Sequence, residues 1–406
     1  MSFQQGLSGL NAATKNLDII GNNVANANTV GFKAATAEFA DVFASSVGGD
    51  KTQVGIGTSI TAVKTNFAQG NVNVSNNPLD LAINGQGFFR LDTKGVISYT
   101  RNGQYTLDKD GYMVNSKGDN LTGYAAGPSG VVDTASFAKL RVSKAQVPAA
   151  ATSKGDVSVN LNAQRPILSA ATFDPSDPST YSDATSLSVF DSLGNEHTLS
   201  LYFLKSAAST WDVFAAGDGA QIGAGSAGTL VFAADGALDT AASTFPAVVN
   251  VPSSPGAGGP IAVNVDFADT TQFGNAFSVN QLTQDGYTSG GVAGYSVSPD
   301  GTMVARYTNG QTRQQGQVVL ANFKNPGGLT QLGSNLWVET AASGQPLPGP
   351  PGSSDLGVLQ SGALENSNVD LTAALVEMIT AQRVYQANAQ TIKSQDEVLQ
   401  TMLNMK

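Results

Sequence analysis

Near the start of the chain, apolar residues recur at alternating steps of four and three. Phe3, Leu7, Leu10, Thr14, Leu17, Gly21 and Val24 lie on this seam, which predicts an amphipathic helix beginning near Phe3. Asn22, Asn23, Asn26 and Asn28, then Gly31, supply the residues that stop helices. A stronger repeat closes the chain. Leu371, Met378, Tyr385, Ile392 and Leu399 are spaced by seven, with Leu375, Gln382, Ala389, Asp396 and Leu403 as companions. Asp370 or Asn368 can cap this helix, and neither Gly nor Pro interrupts Val369 to Lys406. A helix of about 36 residues, on the order of 54 Å long, is predicted. Gln, Asn and Thr dilute both apolar faces, so neither helix is expected to be stable alone in water.

Between these ends the period falls to two. Alternating runs are punctuated by Asp92–Gly95, Asn102-Gly103, Asp108–Gly111 and Ser116–Gly118, the signature of a β-meander. Strands are predicted at Leu187–Phe190, Thr198–Phe203, Thr229–Phe232, Gly301–Tyr307 and Gln317–Phe323. No alternation of strands with helices occurs, which argues against a doubly wound parallel sheet. Pro346, Pro348, Pro350 and Pro351, followed by Gly352, mark a non-helical connector before the last helix. The fold class expected is mainly β with long terminal α-helices.

Charge sharpens this division. The 406 residues carry a net −10, which disfavours nucleic acid as a partner. Between Gln146 and Gly290 there are three bases (Lys154, Arg165, Lys205) and thirteen acids, so that block holds the whole excess. Neutral flanks suit packing against copies of themselves, and an acidic block suits an outward position. No stretch reaches the roughly 18 apolar residues that span a membrane. Met1–Gln5 lacks a basic segment followed by an apolar run, so no Sec-type leader is expected.

Catalytic candidates are few. The absence of cysteine removes disulfides, thiolate metal sites and thiol nucleophiles. His197, the only histidine, sits beside a turn and reads as a surface or hairpin residue, with no second His or Cys for a metal site. Asp108/Asp110 and Asp174/Asp177 are paired carboxylates in turn contexts, where Asp usually bonds its own backbone. The Asp108-Lys109-Asp110-Gly111 start has its glycine misplaced for an EF-hand, and position twelve is Asp119. No catalytic residue, metal site or cofactor is assigned, and no enzyme activity is expected.

The chain ends also resemble a known family. Leu17-Asp18-Ile19-Ile20-Gly21-Asn22-Asn23-Val24-Ala25-Asn26-Ala27-Asn28-Thr29-Val30-Gly31-Phe32-Lys33 is similar to the N-terminal motif of the axial rod and hook proteins of the bacterial flagellum. Ser361–Leu371, then Met378-Ile379 and Ala381–Asn388, resembles their C-terminal motif. Asp80–Phe89 resembles the start of their shared β core. Within the family the hook type fits best, on Phe190–Asn195, Gln317–Phe323 and the central insert. Some of its members carry a cross-linking cysteine, a chemistry this chain lacks.

The resemblance implies a subunit exported through the flagellar type III apparatus without a cleaved signal, to an extracellular position in the hook. Its terminal helices would pair as a coiled coil and pack with neighbouring copies, building a curved tube that couples motor torque to the filament. Partners would be copies of itself, the distal rod, the hook cap and the hook–filament junction proteins, with no nucleic acid and no membrane insertion. The expected organisation is an N-terminal assembly helix over 1–30, a connector over 31–70, and a β core from 71–145 plus 291–345. An acidic outer β domain over 146–290, a connector over 346–360 and a C-terminal assembly helix over 361–406 complete it. Phe3, Leu7, Leu10, Leu17, Val24, Leu371, Leu375, Met378, Tyr385, Ile392, Leu399 and Leu403 are the candidate assembly residues. A distal rod subunit is the near alternative, separated by the central insert. An extracellular adhesin or carbohydrate-binding β protein is the alternative of another class, and it leaves both helical seams unexplained.

Overall fold

Both terminal seams form helices, and among the described residues every other regular element is β or 3-10. A computed structural model describes residues 2–42, 55–127 and 130–404. Parts of the predicted connector (43–54), residues 128–129 and the last two residues of the C-terminal helix fall outside the described residues. Helix α1 spans Ser2–Ala25 and helix α2 spans Leu371–Asn404. Past Ala25 the Asn26 side chain donates to the Asn22 carbonyl at 2.9 Å, and Gly31 turns the chain at φ +70°.

The start of α2 corrects the expectation that 361–406 is helical. Residues Val358–Ser361 and Ala363–Glu365 are strands, paired antiparallel with Leu81–Asn84 and Val72–Val74. Gly362, at φ +66°, joins them in a conformation that favours glycine. Asp370 is the cap, its Oδ1 accepting from the backbone N–H of Thr372 at 2.9 Å and of Ala373 at 3.1 Å. Asn368, the other candidate, is bonded elsewhere: its Oδ1 accepts from the Ala34 N–H and its Nδ2 donates to Asn66 and Ala68.

Two compact units are present. The first comprises 1–143, 294–306 and 312–406, and the second comprises 144–293 and 307–311. In the first, Thr302–Tyr307, Thr312–Val318, Asn120–Ala125, Phe88–Thr93, Val96–Thr100, Leu336–Val338 and Thr330–Gly333 run side by side in one sheet. Its core holds Leu81, Phe89, Leu91, Tyr105, Met113 and Leu121, with a satellite of Phe88, Tyr99, Phe323 and Trp337. The stretch expected as a connector over 31–70 contains an antiparallel hairpin, Ala35–Val42 with Gly57–Thr65. The strand predicted over Gln317–Phe323 breaks at Val319, because Leu320–Asn322 leaves its neighbour to pair with Phe88–Thr93 and with Leu347–Gly349. That second pairing places part of the Pro-rich connector in the sheet.

The second unit is a sandwich of two sheets. One contains Asp183–Phe190, Glu196–Ala207, Thr210–Gly217, Ala220–Ile222 and Gly228–Val231. The other contains Ala247–Val251, Ile261–Asp266, Lys154–Asn162, Thr271–Phe273 and Ser278–Gln284, where Lys154–Asn162 also makes short parallel pairings. Alternation places Leu199, Leu201 and Phe203 inward, in one core with Trp211, Val263 and Phe267. Truncating a core leucine such as Leu201 to alanine costs about 2–5 kcal/mol.

Candidate assembly surface

Antiparallel packing joins α1 to α2. A Cβ built on Gly6 would lie 3.0 Å from Ile392 Cγ1, and one on Gly9 would lie 2.7 Å from Asn388 Oδ1. Farther along, Ile20, Ala374 and Ala381 form a small core with Leu17, Val24, Val369 and Met378. Buried positions on α1 are Gly6, Ala13 and Ile20, again seven apart, with Asn23 after them. On α2 the inward positions are Ala374, Met378, Ala381, Asn388, Ala389, Ile392 and Gln395. Glycine and alanine at these points let the two backbones approach closely.

This inner seam is rotated by about one residue from the pattern read in the sequence. Of the candidate residues, Leu17, Val24 and Met378 are brought together, and Leu10 and Ile392 are half-buried. Phe3, Leu7, Leu371, Leu375, Tyr385, Leu399 and Leu403 remain exposed, Leu399 at 53 % and Leu403 at 75 %. Sequence reasoning missed Gly6, Gly9, Ala13, Ala374 and Ala381, because small residues add little to an apolar pattern although they are what a close helix contact requires. The spacing by seven of Gly6 and Ala13, and of Ala374 and Ala381, was the available signal.

The bulky apolar residues therefore face outward. Val376, Ile379, Val384, Val398 and Met402 join the exposed candidates on α2. The hairpin of 35–42 and 57–65 is fastened beside α1: Asn23 exchanges hydrogen bonds with the Ala35 backbone, and Ser8 Oγ accepts from the Thr58 N–H. A groove of about 680 Å³ runs between α1, α2 and this hairpin, lined by Ala13, Ile20, Phe39, Val376 and Val384 among others.

The one histidine is not a surface residue. His197 is in phase with Leu199, Leu201 and Phe203 on its strand, so the alternation buries it at 9 % exposure, beside the 191–195 turn. Its Nδ1 lies 2.7 Å from Asp218 Oδ2, and its Nε2 lies 3.2 Å from Ser254 Oγ. That connectivity is the one a serine nucleophile uses, but Asp191 Oδ2 stands 3.5 Å from the same Nε2. The hydrogen bond to Asp218 raises the His197 pKa against the opposing effect of burial, and Asp191 raises it further. Two carboxylates beside the ring favour its charged form, which has no lone pair to accept a serine proton. Asp108 and Asp177 turn their carboxylates to nearby backbone N–H groups. Among the described residues, no group of three or more His, Cys, Asp or Glu side chains is placed to hold a metal ion.

Comparison with known proteins gives a consistent picture along the chain. The description "Flagella basal body rod protein" matches residues 3–33, and "Flagellar hook protein FlgE/F/G D1 domain" matches 82–162. "Flagellar basal body protein FlaE D2 domain" matches 160–287, and "Flagellar basal body rod FlgEFG protein C-terminal" matches 360–405. The chain is 40 % identical over 413 residues to the flagellar hook protein FlgE of Escherichia coli K12, with both chains covered in full. It is 34 % identical over 417 residues to flagellar hook protein FlgE of Rhizobium meliloti, covering 100 % of this chain and 98 % of the relative. A crystal structure of Helicobacter pylori flagellar hook protein FlgE2 is similar in fold, with a TM-score of 0.55 at 14 % identity, over 72 % of this chain and 100 % of that one.

Proposed function

Because the chain belongs to the flagellar hook protein family, we propose that it is the structural subunit of a flagellar hook and polymerises through α1 and α2. In this reading the antiparallel pair is a short coiled coil whose inner seam is closed within the subunit. Its outer stripe, from Leu371 to Leu403, is covered by the helices of neighbouring copies. Repetition by rotation and rise makes heterologous contacts that do not close into a ring, and a tube results. The acidic unit faces solvent, and the polymer is a bendable coupling that carries torque outside the cell. Its ends meet rod, cap and junction proteins, and the chain reaches its place through the type III export route.

The observation that carries this reading is the exposed apolar run on α2. Leu371, Leu375, Val376 and Ile379 lie beside the face that α1 occupies. Leu399, Met402 and Leu403 follow where every described side chain from Asp396 to Leu403 is exposed. Leu403→Asp tests it. The variant should keep the circular dichroism and thermal unfolding of the unpolymerised chain, yet give no tubes in electron micrographs at concentrations where the parent chain assembles. Tubes of normal length from this variant would refute the role of the outer stripe.

A further inference from the structure

Glu365 ends the strand Ala363–Glu365 with its side chain fully buried. Its Oε1 accepts from Lys33 Nζ at 2.5 Å and from the Gly70 N–H at 2.9 Å. Arg101 Nη1 donates to its Oε2 at 3.2 Å. Lys33 donates again to the Ala68 carbonyl and Arg101 Nη2 to the Gly85 carbonyl, at 2.8 and 2.9 Å. The Arg101 guanidinium also lies 5.4 Å over the Phe88 ring. Two buried cations thus share one carboxylate.

The three residues come from three places: just after α1, from the β core, and just before α2. Lys33 and Glu365 are 332 positions apart. Around them the backbone is fastened in the same way. The Gly31 N–H donates to the Glu365 carbonyl at 2.8 Å, and the Ala34 N–H donates to Asn368 Oδ1 at 2.8 Å. A Cβ on Gly31 would meet the backbone N of Asn102 at 2.5 Å, so the N-terminal segment lies tightly on the strand end carrying Arg101.

The charges make this arrangement conditional. Lys33 beside Arg101 without Glu365 would be two like charges in a dry pocket, and Glu365 without either base would be a buried bare anion. Burial already lowers the Lys33 pKa, with Arg101 adding to that effect and Glu365 opposing it. The C-terminal segment brings Glu365 to Arg101, which the core already holds, whereas the N-terminal segment cannot bring Lys33 beside Arg101 at low cost until Glu365 is there.

We propose that Glu365, seated on Arg101 of the β core, is the positioning residue on which the N-terminal segment docks with its Lys33, so that α1 is held in register with the body only when the C-terminal segment is in place. The consequence for polymerisation rests on the function proposed above, whereas the docking itself is a property of the single chain.

Hydrogen exchange on the dilute, unpolymerised full-length chain tests this independently of assembly. Glu365→Gln leaves the Glu365 carbonyl and the Asn368 side chain chemically intact. The Gly31 and Ala34 amides should nevertheless exchange at least about tenfold faster, because an undocked segment opens locally. Amides of Phe88–Thr93 and Glu196–Ala207 should keep their protection. Unchanged exchange at Gly31 and Ala34 would overturn the proposal, as would equal loss of protection in Phe88–Thr93, which would make Glu365 a general stabiliser of the core. Lys33→Met is the second arm and decides the matter if the first variant fails to fold. It leaves Arg101 paired with Glu365, and the Ala68 carbonyl keeps its bond from Asn368. This variant should stay docked, and loss of Gly31 and Ala34 protection in it would show the charge argument to be wrong.

Discussion

His197 Nδ1 and Asp218 Oδ2 are 2.7 Å apart at the end of an inward-facing strand row, where a charged pair closes the edge of an apolar core. Asp218 Oδ1 accepts in addition from the Thr198 N–H at 2.9 Å. Asp191, on the ring's other side, takes bonds from Leu193 N–H and from the backbone and side chain of Asn195. Burial works against its charge, yet these donors hold its pKa well below the usual carboxylate range. Through Ser254 the ring also fastens the Pro- and Gly-rich loop between Ala247–Val251 and Ile261–Asp266, and Ser192 Oγ accepts from Gly258 N–H in the same loop.

The acidic unit should accordingly lose stability as pH rises above 6.5. The folded-state pKa of His197 is raised above 6.5, so its contribution is complete below pH 6.5 and is lost as pH climbs through the raised value. Asp218 has the opposite sign: its pKa is lowered, first by the His197 bond, and its contribution fades as pH falls below the ordinary 3.8. Urea midpoints should be highest between these limits. As the only histidine, His197 gives a single imidazole resonance by NMR. It should titrate above 6.5 in the parent chain and lower in Asp218→Asn. A resonance titrating at the unshifted value in both proteins would rule the pair out as a source of pH dependence.

Two glycines of α1 should respond to substitution with opposite signs. Gly21 has open space around it, so Gly21→Ala should stabilise α1 by up to about 1 kcal/mol through helix propensity alone. Gly9 faces the Asn388 side chain, and Gly9→Leu should cost about 1–3 kcal/mol by forcing the helices apart despite the better propensity. Hydrogen exchange of α1 amides in the unpolymerised chain measures both. Equal effects at the two positions would mean that the close approach at Gly9 carries no energy.

The difference between those glycines also shows what the sequence could reveal. Both helices and most strands were legible, because periods of 3.5 and 2 report which side of an element avoids water. The inner seam was not, because Gly6, Ala13, Ala374 and Ala381 matter through their smallness and hydrophobic patterning scores them as nearly neutral. It singled out the bulkier residues one position away, and most of those face outward. The Lys33–Glu365 pair was hidden for another reason. No local pattern relates two charged residues 332 positions apart, and it is the folded backbone, through the Gly31–Glu365 and Ala34–Asn368 bonds, that brings their segments together. The burial of His197 could have been read, since it shares the alternation of Leu199 and Leu201.

Ile392→Asp should separate contacts within the subunit from contacts between subunits. Ile392 is half-buried against Gly6, and a carboxylate there loses solvation with no partner, at a cost of a few kcal/mol. Exchange of the first turns of α1 should accelerate, and tubes should fail to form. Leu403→Asp should stop tube formation with α1 protection intact. If Ile392→Asp leaves α1 protected, the contact at Gly6 is not what holds the pair.

The acidic unit leads to a last prediction, which rests on charge rather than on kinship. Residues 144–293 and 307–311 carry thirteen acids and four bases, a net −9, leaving −1 for the rest of the chain. Copies arrayed on a tube would bring many such units to similar radius, where their repulsion is screened over about 8–10 Å at ordinary salt. The unit has its own closed core, distinct from the two β cores of the other unit. Replacing 144–293 by a short Gly/Ser linker, with 307–311 kept as the turn between Thr302–Tyr307 and Thr312–Val318, should therefore leave a chain that folds and still polymerises through α1 and α2. Its tubes should differ in curvature or stiffness from those of the full chain. Salt should alter the shape of full-length polymers more than that of the shortened ones, because the shortened subunit has lost nearly all the net charge. Electron micrographs across a salt series measure both effects. A shortened chain that keeps its β core yet remains monomeric would show that the acidic unit is itself part of the assembly contact.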